Sequence, residues 1–216
     1  SQKESLGPSF IIGAASVPPL NMANAFGTIA SGGMRCSPVA LEKVVDADGK
    51  TFKVASGNCK RTVEASVANK TAQVLVSTAN SYGGRVNIGR QVMAKTGTTN
   101  GPNAAWTLGA TPNLATAVWV GYSQGSQRDL VRMRINGAYY GIVWGNTVPA
   151  MAFREYMSAA VQYLPAASFP DANIGEGKTI SQGRARPTPT QQPSEGPASP
   201  SPQTTQITQT FYYQED

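Results

Sequence analysis

The sequence predicts an α+β fold, a short antiparallel sheet flanked by helices. Three observations carry this expectation. Apolar residues recur at the helical period in two stretches before residue 81 and in one after residue 146. Between them lie three strand-like runs, QVMAKTGTT, AAWTLGA and LATAVWVGY, joined by turns of a few residues. Turns this short connect neighbouring antiparallel strands, so the three runs form a meander. Helices grouped around such a meander define the α+β class.

The first helix is expected in SVPPLNMANAFGTIASGG, where Pro18 and Pro19 suit the cap and first turn. Leu20, Ala23, Phe26, Ile29 and Ala30 fall on one face, and Gly32-Gly33 is a natural stop. RCSPVALEKVVDADGKTFKV then reads as two short strands joined around Asp46-Ala47-Asp48-Gly49. A second helix is expected from Arg61 to Asn80, with Val63, Val67, Val74 and Thr78 near the helical period and Tyr82-Gly83-Gly84 at its end. After the three strands, Gly125 to Tyr140 reads as an exposed loop or marginal hairpin carrying Arg128, Arg132 and Arg134. The closing helix opens at Asn146 or Thr147, takes Pro149 into its first turn and stops at Pro165.

The remainder changes character. RARPTPTQQPSEGPASPSPQTTQITQT is too poor in aliphatic residues to offset its ordering entropy. The chain therefore divides into a globular part, residues 1–174, and a disordered Pro/Ser/Thr/Gln-rich tail, residues 175–216, ending in FYYQED.

Composition narrows the chemistry. Histidine is missing from all 216 residues, which removes Ser-His-Asp and Cys-His catalysis and the commonest metal ligand. Two cysteines cannot build a zinc site. Acid–base work would fall to Lys, Tyr, Asp or Glu. A formal charge of +6, without a basic run interleaved with aromatics, reads as solubility charge and predicts no nucleic-acid partner. No apolar run reaches the ~20 residues of a membrane helix. Ser1-Gln2-Lys3-Glu4 is polar, without the pattern of a signal peptide.

Cys36 and Cys59 flank the polar two-strand segment. They are either two buried thiols or a disulfide. The disulfide is preferred because it would pin the segment to the body, stabilising by roughly 3 kcal/mol in the chain-entropy model. It would require an oxidising compartment.

One stretch suggests a site. In VMAKTGTTNGPNAAW, strand alternation sends Lys95 and Gly97 to one face, Thr96 and Thr98 to the other. A glycine inside a strand is favoured where a ligand or backbone comes close. The lysine supplies positive charge and a proton donor. Threonine hydroxyls and the outward N–H groups of an edge strand can hold a carboxylate or an oxyanion. Such a strand suits an anionic, peptide-like substrate bound by strand addition. A four-residue pattern is also compatible with a lysine that merely ends a surface strand.

The surroundings add information. MAKTGTTNGPNAAWTLGATPNLATAVWVGY resembles the third-motif region of penicillin-binding proteins, especially the transpeptidase domain of bifunctional class A members. That pattern includes Lys-Thr-Gly, here Lys95-Thr96-Gly97, and the Ala105-Trp106 strand. It continues with the Thr111-Pro112-Asn113 turn and a strand ending Trp119-Val120-Gly121-Tyr122. ASVPPLNMANAFGTIASGGMRCSP and GNTVPAMAFREYM are similar to the family's preceding and closing helices, so the resemblance covers roughly residues 5 to 165. It implies part of the serine β-lactamase/penicillin-binding transpeptidase fold.

By this resemblance Lys95 stabilises the electrostatics around the nucleophile and assists proton transfer. Thr96 and Thr98 bind the terminal carboxylate of a stem peptide or the acid group of a β-lactam. The Thr98 N–H forms half of an oxyanion hole, Gly97 leaves room for the ligand, and Thr99 is counted with the substrate-binding set. Some members carry an acidic residue two before the strand tryptophan. Ala104 stands there in this chain.

The family's other two motifs are Ser-x-x-Lys, carrying the nucleophile and its base, and Ser-x-Asn. No Ser-x-x-Lys occurs in this sequence, and the single Ser-x-Asn, Ser56-Gly57-Asn58, abuts Cys59 in the polar segment. The resemblance therefore implies the C-terminal half of a transpeptidase domain. Its partner would be an upstream half carrying the serine and any membrane anchor, and its setting the outer face of the bacterial cytoplasmic membrane. Water as acceptor would make a D,D-carboxypeptidase or β-lactamase instead. Loss of the serine would leave a module that only binds wall peptides, and a third reading makes the tail a tether.

Overall fold

The computed structural model describes residues 7–13, 15–123 and 128–175. The proposed tail lies outside the described residues apart from Gly175. A 3-10 turn, Pro8–Ile12, precedes helix α1, Pro19–Ala30. Two strand pairs follow: β1 (Met34–Arg35) with β4 (Lys60–Arg61), and between them β2 (Val44–Val45) with β3 (Thr51–Phe52). Helix α2 spans Ala65–Asn80. The sheet is β5 (Met93–Thr98), β6 (Ala104–Thr111) and β7 (Leu114–Gly121), in that spatial order and antiparallel throughout. A separate hairpin, β8 (Val131–Ile135) with β9 (Ala138–Ile142), leads into helix α3, Val148–Ala160. This is the expected α+β arrangement.

Local chemistry sets the ends of these elements. The Gly33 N–H closes a bond to the Thr28 carbonyl past the end of α1, and Gly33 sits at φ +94, where an L side chain is strained. At Asp46 the carboxylate accepts from the N–H groups of Asp48 and Lys50, which folds β2 onto β3. The Thr111 hydroxyl accepts from Asn113 and Leu114 in the β6–β7 turn. Pro149 occupies the first turn of α3, and a 3-10 turn at Val161–Tyr163 brings the chain to Leu164 and Pro165.

Three expectations for the helices need correction. Helix α2 begins at Ala65, not Arg61, because Arg61 pairs with Met34 and the Thr62 and Val63 amides donate to the Gly33 carbonyl. Its buried face is also different. Val67 and Val74 are 53% and 50% exposed, whereas Ala68, Ala72 and Ala79 are buried. Alanines let the helix backbone approach β5 closely, which branched side chains would prevent. On α1, Leu20 is exposed, and the apolar face is formed by Met22, Phe26, Ile29 and Ala30.

The sheet has two apolar faces. Met93, Leu108 and Ala110 meet Phe26 of α1, Ala72 of α2 and the incoming Phe169. On the opposite face, Ala94 meets Phe153 and Met157 of α3. Phe153 lies directly over Gly109, where an added β-carbon would stand 2.7 Å from its ring. The chain beyond α3 is tied back by Arg90 to the Leu164 carbonyl (2.9 Å) and by Asn113 to the Pro165 carbonyl (2.7 Å). Truncating Phe153 to Ala removes the largest fully buried side chain among the described residues. Denaturant unfolding of Phe153→Ala is expected to show a loss of about 3–5 kcal/mol.

Candidate active site

The candidate strand is the edge of the sheet among the described residues. Its pairing places Lys95 opposite Leu108, Thr96 opposite Thr107, Gly97 opposite Trp106 and Thr98 opposite Ala105. Paired residues share a face. Lys95 and Gly97 therefore lie on the α1/α2 side and Thr96 and Thr98 on the α3 side, matching the alternation read from the sequence.

The direction of the amides follows from one hydrogen bond. The Thr99 N–H donates to the Ala104 carbonyl at 3.1 Å. In an antiparallel ladder, hydrogen-bonded and non-bonded pairs alternate. Gly97 with Trp106 is then a bonded pair, and the N–H groups of Thr96 and Thr98 point outward from the sheet edge. The Thr96 N–H confirms this, since it donates to the Tyr82 Oη at 3.0 Å, and its hydroxyl donates to the same oxygen at 3.3 Å. Two residues further along, the Thr98 N–H faces the same way.

Each hydroxyl in the row has a different task. The Oγ1 of Thr98 accepts from the Gly145 N–H at 3.0 Å, so its own proton remains for an acceptor beyond the strand. Thr99 turns inward. Its hydroxyl contacts the Gly101 carbonyl and Asn103 Oδ1 (2.7 Å) and accepts from the Ala104 N–H (3.1 Å), holding the β5–β6 turn. Lys95 is exposed, and its Nζ donates to the Thr96 carbonyl at 2.6 Å. The ammonium thus sits at the strand edge, beside the outward amides.

Two residues that sequence reasoning missed hold this wall in place. Tyr82, read only as a helix end, anchors the Thr96 amide. Gly145 is gripped between strands. A β-carbon there would lie 2.5 Å from the Trp106 carbonyl oxygen, 2.8 Å from that of Gly97 and 2.9 Å from the Thr96 Cβ. Its carbonyl accepts from the buried Thr107 hydroxyl at 2.6 Å. No periodicity marks either residue, because each acts across long sequence separation.

Cys36 and Cys59 extend the β1–β4 ladder by one rung, with sulfur atoms 1.97 Å apart in a disulfide. Ser56-Gly57-Asn58 lies beside this bridge, in the segment between β3 and β4. Among the described residues, no group of three His, Cys, Asp or Glu side chains is placed to hold a metal ion. No helix among them is long and apolar enough to cross a membrane.

Lys-Thr-Gly-Thr thus stands on an edge strand with outward amides, in a sheet packed by α1 and α2 on one face and by α3 on the other. Residues 2–157 match the family model of the penicillin-binding protein transpeptidase domain, and the chain belongs to that family. It is 32% identical over 191 residues to penicillin-binding protein 1A of Mycolicibacterium smegmatis, covering 84% of this chain and 24% of that protein. Penicillin-binding protein 1A of Mycobacterium tuberculosis is 31% identical over 169 residues, 74% of this chain and 20% of that protein. The solved structure of the Mycobacterium tuberculosis PonA1 protein in complex with penicillin V is 28% identical with a TM-score of 0.67. That match covers 77% of this chain and 44% of the other. The chain thus spans a quarter or less of the curated relatives it matches, and the fold it shares with them is part of the transpeptidase domain.

Replacing Tyr82 by Phe removes the acceptor of the outward Thr96 amide. Hydrogen exchange should register this as roughly 5–10-fold faster exchange at Thr96, equivalent to about 1 kcal/mol for one hydrogen bond. Gly145→Ala should cost more. Its β-carbon meets backbone on two sides, and overpacking of this kind costs about 1–3 kcal/mol in thermal or denaturant melts.

Proposed function

We propose that this chain forms the Lys-Thr-Gly wall of a peptidoglycan D,D-transpeptidase that is acylated by β-lactams. The observation that carries the proposal is the β5 edge, where an outward Thr98 amide, a Thr98 hydroxyl with its proton available and the Lys95 ammonium lie side by side. An anion brought to this edge meets a hydrogen-bond donor and a positive charge that are already in place. Preorganisation of that kind is where most acyl-transfer catalysis originates.

In this reading, an upstream segment of the polypeptide supplies the nucleophilic serine and its lysine base. The serine oxygen attacks the penultimate D-Ala carbonyl of a stem peptide as its proton passes to the base. Charge develops on the carbonyl oxygen, and the Thr98 N–H donates to it. Collapse, with the base returning that proton to the departing nitrogen, expels the terminal D-Ala and leaves the acyl group as a serine ester. The Thr98 hydroxyl holds the carboxylate of that D-Ala, joined by Thr96 once its hydroxyl turns from Tyr82 to the ligand. The amine of a neighbouring strand then attacks the ester carbonyl, gives up a proton through the base to the departing serine oxygen, and takes the acyl group, cross-linking the wall and restoring the serine. Gly97 leaves the space in which an extended peptide lies along the edge. Thr99 contributes by shaping the turn that ends the wall. No cofactor takes part.

The compartment follows from the same reading. Stem peptides are cross-linked on the outer face of the bacterial cytoplasmic membrane, and a disulfide at Cys36–Cys59 persists in such an oxidising setting. A membrane anchor would belong to the upstream part.

Labelling the full-length protein with a fluorescent penicillin tests the proposal. The label is expected on a serine upstream of residue 1, located by peptide mass. Lys95→Ala should lower the acylation rate constant by about 10²–10³-fold, the usual effect of removing one preorganised electrostatic group. Acylation that is absent in the unaltered protein, or indifferent to Lys95, would sink the proposal.

A further inference from the structure

We propose that the outward face of the β8–β9 hairpin binds carboxylate groups of the peptide whose end is held on β5. This inference rests on the transpeptidase reading of that strand. It concerns a surface that none of the Lys-Thr-Gly residues forms.

The hairpin has two unlike faces. Its register pairs Val131 with Ile142, Met133 with Tyr140 and Ile135 with Ala138. Met133, Ile135 and Tyr140 pack on a cluster of Ala105, Leu130 and Val143. The opposite face therefore carries Arg132, Arg134, Tyr139 and Gly141. Arg132, Arg134 and Tyr139 are all exposed. Between Val131 and Ile142 the sequence VRMRINGAYYGI holds two arginines and no acid, so the face is complementary to an anion.

The side chains are arranged for a planar anion. The Arg134 guanidinium lies over the Tyr139 ring, 6.0 Å from its centroid. A guanidinium laid on an aromatic ring keeps its N–H edge outward, in the fork geometry that matches a carboxylate. Across from Arg132, Gly141 leaves the surface open, with nothing within 4 Å of where a β-carbon would stand. Arg132 itself is held at φ +53, in the left-handed region that suits glycine. An arginine kept in a conformation that disfavours it points to a use for the side chain.

Topology connects this face to the wall strand. The Leu130 N–H donates to the Pro102 carbonyl of the β5–β6 turn at 2.5 Å, and the Val143 N–H donates to the Leu130 carbonyl at 2.8 Å. Two residues beyond Val143, Gly145 donates to the Thr98 hydroxyl. The hairpin thus rises from the end of β5 where the outward Thr98 amide lies. At a strand rise of about 3.3 Å per residue, Arg132 and Arg134 stand about 7 and 13 Å from this root. Two to four residues of extended peptide span that distance. A carboxylate that far from the bound terminus would reach the arginines, and an amidated one would lose the charge they recognise.

The test uses the full-length protein and a fluorescein-labelled synthetic stem pentapeptide ending in D-Ala-D-Ala. The peptide is prepared with its side-chain carboxylates either free or amidated. Arg132→Gly/Arg134→Ala is the main variant, since glycine suits the backbone at 132, and Arg134→Lys keeps the charge without the fork. Anisotropy titration should show the double variant binding the free-carboxylate peptide about tenfold more weakly, the equivalent of one charge-assisted hydrogen bond. The amidated peptide should bind both proteins alike, and acylation by penicillin should change less than twofold. An unchanged affinity for the free-carboxylate peptide, or an equal loss for the amidated one, overturns the inference. So does an arginine-dependent affinity for poly(glycerol phosphate) without one for the peptide. If penicillin fails to acylate the unaltered protein while peptide affinity still depends on the arginines, the transpeptidase reading falls and the anion-binding face stands.

Discussion

The carbonyls of Trp106 and Gly97 close on Gly145 so tightly that a β-carbon there would come within 2.5 and 2.8 Å of them. From this grip Gly145 donates to Thr98 and accepts from Thr107, and three residues later α3 begins. The packing of α3 on the sheet and the orientation of the Thr98 hydroxyl are therefore settled by one close approach. Moving the loop outward would release both together. A site wall built this way is rigid because its support comes from backbone atoms, which have no rotamers to change.

The polar and apolar parts of the fold divide the labour. Phe153, Met157, Met93 and the alanines of α2 bury the two faces of the sheet and supply cohesion without direction. Direction comes from a few hydrogen bonds of long sequence separation, Tyr82 to Thr96 and Gly145 to Thr98. An edge strand is ordinarily an invitation to further pairing. Here Tyr82 occupies one of the outward amides, and the next one in line, that of Thr98, is the one the proposed site uses.

Much of this was legible in the sequence. The three strands, their turns and the alternation of Lys95, Thr96, Gly97 and Thr98 follow from period-two patterning and turn residues, which are local. The burial of α2 was misread because valines suggest a core more strongly than alanines do, whereas close helix–sheet contact selects the smaller residue. Thr99 carries the same hydroxyl as Thr96 and Thr98, yet its place one residue further turns it into the β5–β6 connection. The β8–β9 hairpin was read only as an exposed loop or marginal hairpin; its turn is Asn136-Gly137, both at positive φ as a two-residue hairpin turn requires. Tyr82 and Gly145 left no local trace, since their partners are 14 and 47 residues away.

The bridge between Cys36 and Cys59 has a consequence of another kind. It clamps the two strands at the root of the excursion between residues 36 and 59. The entropy of closing a loop grows only with the logarithm of its length. Residues could be added to or removed from the Asp46–Gly49 end at little thermodynamic cost, while the register of β1 and β4 stays as it is. The excursion is thus a part of this fold free to change in length, a place where new sequence could be carried on a clamped stem.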